Sequence, residues 1–130
     1  MIYLLDVNAL LALAHASHTL HGRAETWLKT LRHADKLATC SITELGLVRI
    51  APQTGLSPDV AHSKELLARL KHSRHPAFVL LADDVGADRL PAWVKTPAQT
   101  TDGHLLALAG ACSARLATFD EGIPGSVLIA

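Results

Sequence analysis

The sequence predicts an α/β domain, a mostly parallel central β-sheet flanked by α-helices, as one unit over residues 1–130. Three observations predict it. Short apolar runs alternate with amphipathic stretches along the whole chain. The first run, Ile2 to Leu5, is apolar on both faces, as a strand covered by helices on either side must be. No linker-like, repeated or low-complexity segment breaks the alternation, and 130 residues can bury a substantial core without disulfide or metal staples.

Each element follows from local pattern. After the strand Ile2–Leu5, the run Val7 to Ala16 is predicted helical. Leu20, Ala24, Trp27, Leu28 and Leu31 then recur at three- and four-residue spacing, so Leu20 to Arg32 is predicted as a helix with Arg23, Glu25, Lys29 and Arg32 facing water. Asp35 and Lys36 form a polar break before a short strand, Leu37 to Cys40. The next helix, Ser41 to Ile50, is expected to stop before Pro52 and Gly55. Ser57-Pro58-Asp59 predicts another helix start, with Ser57 as cap and Pro58 in the first turn. That helix is expected to end between Lys71 and His75, ahead of Pro76. Phe78 to Ala82 is a strand, followed by an irregular connection containing Asp, Gly and Pro. Thr101 to Ala114 is a strongly patterned Ala/Leu helix, Leu116 to Phe119 a strand, and Ser126 to Ile129 a short final strand.

Composition narrows the function classes. Hydrophobic residues make up 49% of the chain and aromatics only 4%, so the core is built from Leu, Ala, Val and Ile. Mean hydropathy is positive, which predicts apolar surface for a second copy or a partner to cover. Twelve Lys and Arg balance twelve Asp and Glu, so no global field advertises nucleic acid or membrane. Asp6 interrupts the apolar N-terminus and no Lys or Arg precedes it, which argues against a secretory leader; no stretch is long enough to span a bilayer. Cys40 and Cys112 lack metal-ligand spacing and are expected as reduced thiols, consistent with a cytoplasmic location.

Four acids occupy similar places. Asp6 follows the first strand and Asp120 follows the strand Leu116–Phe119, while Glu44 and Asp102 stand in first turns of helices. In an open α/β sheet the carboxyl ends of the strands, where helices begin, form the ligand-binding edge. Each acid alone also has a bland reading: Asp6 as a helix cap, Ser41-x-x-Glu44 as a capping box, Asp102 as a dipole-favoured helix start and Asp120 as a turn residue. If the four converge, their mutual repulsion demands a cation, and all-oxygen ligation selects Mg²⁺ or Mn²⁺ over zinc. Such an ion can activate water and neutralise charge on a phosphodiester, which is nuclease chemistry.

The segments LLDVNALLAL, SITELGLVRI, TTDGHLLALA and RLATFD, in that order and spanning nearly the whole chain, resemble the PIN-domain family and, within it, the VapC-like ribonuclease toxins of bacterial toxin-antitoxin pairs. The resemblance implies that Asp6, Glu44, Asp102 and Asp120 form a catalytic Mg²⁺ or Mn²⁺ site. It implies supporting roles for Asn8, Ser41, Thr101 and Thr118. It also implies endoribonuclease activity on RNA, neutralisation by a cognate antitoxin protein, and a homodimer. Glu121, beside Asp120, departs from the family pattern by adding negative charge near the phosphate path.

His104 begins the Ala/Leu helix near the expected cleft, as an RNA contact or as a polar residue on a helix rim. Lys64 to His75 is the one concentrated basic segment, and Lys71 and Arg74 are its candidates for RNA backbone contact, against the alternative of solvated cations at a helix C-terminus. Few aromatics leave little scope for base stacking. Among rivals, a haloacid-dehalogenase-type phosphatase would want a second Asp at Asn8, and a receiver domain a Lys after a late strand. A noncatalytic PIN-like binding module for RNA or protein is the closer alternative, and a purely structural interaction protein leaves the acids a coincidence.

Overall fold

A computed structural model describes residues 1–130. The chain forms β1 (Ile2–Leu5), α1 (Val7–Ala14), α2 (His21–Leu28), β2 (Lys36–Thr39), α3 (Ser41–Gln53), α4 (Val60–Lys71), β3 (Ala77–Leu80), α5 (Thr100–Ala111), β4 (Arg115–Thr118) and β5 (Val127–Leu128). Short 3₁₀ turns at Ala87–Arg89 and Pro97–Gln99 punctuate the connection from β3 to α5. The strands make one sheet in the order β3-β2-β1-β4-β5, with every pair parallel. The predicted α/β class is therefore the observed one.

Successive residues of a strand point to opposite faces, and the core divides accordingly. Leu5, Leu37 and Ala117 face one side, where α1 to α4 supply Leu10, Ala24, Leu47 and Leu67. Leu4, Ala38 and Leu116 face the other, where α5 supplies Leu105 and Leu108. Leu4, Leu10, Leu37, Leu47, Leu105, Leu108 and Leu116 are fully buried, each worth about 1.5–3 kcal/mol relative to exposure. Close packing of α1 on α3 needs Gly46, where a Cβ would lie 2.7 Å from Val7 Cγ2. Tyr3 meets Trp27 edge to face at 5.4 Å. Cys40 and Cys112 are both free thiols. No helix is long and apolar enough to cross a membrane.

Several helix ends differ from expectation. Cys40, not Ser41, caps α3: its N–H donates to Thr43 Oγ1 at 3.0 Å, so the capping pair is Cys40 with Thr43, and Glu44 plays no part in it. That helix also runs through Pro52 to Gln53. A proline in the last turn removes only one intrahelical bond, and Thr54 N–H still reaches the Ile50 carbonyl at 3.0 Å. Gly55 at φ +78° then closes the helix, with Leu56 and Ser57 N–H groups returning to the Ala51 carbonyl. Asp59 caps α4 by accepting from His62 N–H at 2.8 Å, whereas Ser57 is buried and pairs with Ser63. α2 is shorter than its periodicity, giving way to turns at Lys29 to Leu31. α5 stops at Ala111 because Ser113 adopts φ 55° and Ala114 N–H turns back to the Ala109 carbonyl.

β1 stands at the centre of the strand order. From it the chain steps to β2 and β3 on one side, then returns through α5 to β4 on the other. The carboxyl ends of β1 and β4 thus flank the reversal of strand order, where an open α/β sheet leaves a crevice.

Candidate functional site

Asp6 leaves β1 at that crevice and serves as N-cap of α1, its Oδ1 accepting from Ala9 N–H at 2.8 Å. Its own N–H donates to the Ala117 carbonyl at 3.2 Å, which ties the end of β1 to β4. Oδ2 accepts from the hydroxyl of Thr118, the last residue of β4, at 2.5 Å. The same hydroxyl oxygen accepts from Asp120 N–H at 3.0 Å. Buried Thr118 therefore couples the two acids across the strand pair. Asp120 in turn accepts from Gly122 N–H at 2.7 Å, so its turn role and its place at the crevice coexist, as the cap and site roles of Asp6 do.

Asp102 arrives from the first turn of α5. Gly103, next to it, lets that turn pack against Val94 and Pro91 of the preceding connection. Asp6, Asn8, Thr101, Asp102, Thr118 and Asp120 line one cleft of about 400 Å³, over an apolar floor of Val7, Leu11, Ile50 and Leu105. No Lys, Arg or His lines it. Burial pushes the Asp6 carboxyl above its usual range against the hydrogen bonds from Thr118 and Ala9, and Asp102 and Asp120 push it the same way. Burial and then Asp120 raise Asp102 likewise. The cleft thus gathers negative charge that the protein leaves uncompensated, and its donors are all oxygen. That chemistry fits a hard divalent cation. No three His, Cys, Asp or Glu side chains stand close enough to grip an ion between them, so binding would draw these carboxylates inward or use water between them.

Glu44 departs from the expected four-acid cluster. Its Oε2 accepts from Thr39 Oγ1 at 2.5 Å and from Lys71 Nζ at 2.6 Å, and it lines a neighbouring groove of about 480 Å³ between α3 and α4. Lys71, 27 residues on in sequence, supplies the countercharge that holds it there. Ser41 lines the same groove rather than the cleft, and Lys71 is engaged by Glu44. Arg74 is exposed and lies outside the cleft lining. His104 turns to Asp83, Nε2 to Oδ2 at 2.5 Å, and lines a separate hollow with Ile42, Ala87 and Leu90.

The structure adds His18, which sequence reasoning passes over. Its Nδ1 accepts from Leu20 N–H at 3.0 Å, and its Nε2 lies 3.2 Å from Asn8 Oδ1. The spacing of His15, His18 and His21 through the turn between α1 and α2 was the available signal.

No protein-family profile matches the chain. Ribonuclease VapC44 of Mycobacterium tuberculosis is 43% identical over 126 residues, covering 92% of this chain and 87% of its own. Among solved structures, VapC20 of Mycobacterium tuberculosis, described as a sarcin-ricin loop cleaving toxin, superposes with a TM-score of 0.63 at 12% identity, covering 93% of this chain and 92% of its own. VapBC2 of Rickettsia felis, bound to a DNA fragment from its promoter, has a TM-score of 0.58 at 16% identity over 98% of this chain and 97% of its own.

Proposed function

The chain belongs to the VapC ribonuclease family of PIN-domain toxins, and from that premise we propose that it is a divalent-metal-dependent endoribonuclease, the toxin of a type II pair silenced by a cognate antitoxin. The observation that carries the reading is the cleft at the strand-order reversal, which Asp6, Asp102 and Asp120 line together with no basic side chain among them. Those three acids would hold Mg²⁺ or Mn²⁺. When bound, the ion supplies a Lewis acid that activates water and neutralises charge building on the phosphodiester.

The chain's own residues prepare this chemistry. Thr118 donates to Asp6 and so favours its ionised form against the burial that opposes it. The Ala9 N–H, at the positive end of α1, acts in the same direction. Asn8 and Thr101 bring hydrogen-bond donors to a rim that is otherwise acceptors. Exposed Leu45, Val60, Leu80 and Leu128 offer apolar surface for an antitoxin or a second copy, and the site of action is proposed to be the cytoplasm.

The withdrawal of Glu44 to Lys71 favours a second reading, a PIN-like module that binds RNA without cutting it. Purified, antitoxin-free protein incubated with structured RNAs and Mg²⁺ or Mn²⁺ separates the two. Cleavage that stops with EDTA and in Asp6→Asn is expected. Cleavage that survives both overturns the metal mechanism, and RNA binding without any cleavage favours the module.

A further inference from the structure

We propose that His18 is a positioning residue for Asn8, aiming the Asn8 amide N–H₂ into the acidic cleft where it receives a phosphate oxygen of the RNA. The inference rests on the RNA-cleavage reading above for its ligand, and on hydrogen-bond geometry for the rest.

A backbone N–H is only a donor. Leu20 N–H therefore requires a bare, accepting Nδ1 on His18, and the neutral ring must carry its hydrogen on Nε2. That N–H points at Asn8, 3.2 Å away, so the atom of Asn8 that meets it is the accepting Oδ1. The orientation of the carboxamide follows: with Oδ1 turned to His18, Nδ2 is the end left over, and it makes no hydrogen bond within the protein. Two backbone bonds, His18 N–H to the His15 carbonyl and His21 N–H to the His18 carbonyl, both 3.0 Å, hold the turn that presents the ring.

The need for such a donor comes from the charge of the cleft. Asp6, Asp102 and Asp120 offer acceptors to a substrate that is itself an acceptor, and the Thr118 hydroxyl is already given to Asp6. Asn8 Nδ2 and the Thr101 hydroxyl are the side-chain donors that remain on the lining. An unpinned carboxamide can rotate and present its oxygen to the phosphate instead, turning an attraction into a repulsion. His18 removes that alternative.

The test compares full-length wild type, His18→Ala, His18→Gln, Asn8→Ala and the His18→Ala/Asn8→Ala double variant. Steady-state RNA cleavage with Mn²⁺ is measured beside calorimetric Mn²⁺ affinity and the side-chain amide signals of Asn8 in ¹⁵N-correlated NMR spectra. His18→Ala is expected to lower kcat/KM about tenfold, the scale of one hydrogen bond, with Mn²⁺ affinity unchanged. His18→Gln, which keeps an N–H donor, is expected to restore most of the loss. The double variant is expected to be no worse than Asn8→Ala, because both changes remove one interaction. In His18→Ala the Asn8 amide signals are expected to move, and in His18→Gln to return. Additive losses, or a fall in Mn²⁺ affinity with His18 removed, overturn the proposal. If the wild type cleaves no RNA, the functional reading fails separately; the Asn8 signals then decide the His18 role alone, and signals unmoved by His18→Ala overturn it.

Discussion

Replacing Asp6 by Asn tests the charge argument at its centre. In the folded protein the Asp6 carboxyl is raised chiefly by burial, so the folded state holds its proton more tightly than the unfolded chain does. Ionised Asp6 is therefore a cost that is absent below the unfolded carboxyl pKa of about 3.9, grows as pH rises to the folded value, and stays constant above it. Asn removes that cost. It keeps an acceptor for Ala9 N–H but cannot accept from Thr118 in the same way, a loss of about 1 kcal/mol. The two changes oppose each other, so metal-free stability at neutral pH is expected to stay within about 1 kcal/mol of wild type. Added Mn²⁺ separates the proteins. At one hundred times its dissociation constant an ion bound only by the folded state stabilises by about 2.7 kcal/mol. For a chain of 130 residues that is a rise in Tm of about 8–10 °C. Wild type is expected to show this rise by calorimetry and Asp6→Asn to lose it, with cleavage falling about a thousandfold, the several kcal/mol a Lewis acid contributes. An equal Mn²⁺-induced rise in both proteins refutes the placement of the ion at Asp6.

Thr118→Val removes the donor to Asp6 and the acceptor for Asp120 N–H inside a fully buried position, and is expected to cost about 1–3 kcal/mol in urea unfolding while weakening Mn²⁺ binding. Asp35 is held below the usual carboxylate range by the Arg32 N–H at 2.7 Å and by the amino terminus at 3.1 Å. Its contribution is present above the unfolded carboxyl pKa and lost as pH falls through the lower folded value, so Asp35→Asn is expected to lower Tm at neutral pH and to match wild type in strong acid, as paired thermal melts would show. Lys71→Met breaks the ion pair with Glu44, whose partners are each about a quarter exposed, and chemical denaturation is expected to register no more than about 1 kcal/mol.

The fold was legible because its signals are local and repeated. Short, largely apolar strands, four residues each except the two-residue β5, alternate with helical periodicity and leave little besides a parallel sheet between helices. Helix ends were less legible, because a cap depends on which of two adjacent polar groups turns inward. Cys40 with Thr43 displaced Ser41 with Glu44 by one residue, and Asp59 displaced Ser57 by two. The cleft acids Asp6, Asp102 and Asp120 could be placed from position alone, since strand and helix ends fix where such residues stand. The direction in which Glu44 turns could not, because it is set by an ammonium arriving from another helix. The His15, His18 and His21 spacing marks the turn but not the partner of His18: Asn8 lies ten residues earlier, and only the turn after α1 brings them together.

Asp6 also explains why bland and functional readings need not compete. A helix cap wants an oxygen at the N-terminus of α1, and a cation site wants an anionic oxygen at the end of β1; in this topology those are one position. The cap hydrogen bond and the Thr118 hydroxyl offset part of the burial cost, but both act on a single carboxylate. Asp102 and Asp120 add repulsion that neither relieves, so the cleft is a local source of instability held in place by the leucine-rich layers on either side of the sheet. A neutral residue at Asp102 or Asp120 would remove part of that repulsion from Asp6 without touching its bonds to Ala9 and Thr118. The repulsion acquires a purpose if it is the reserve of binding energy that a divalent ion releases, and that is why the metal-dependent rise in stability, more than cleavage alone, bears on the origin of this arrangement.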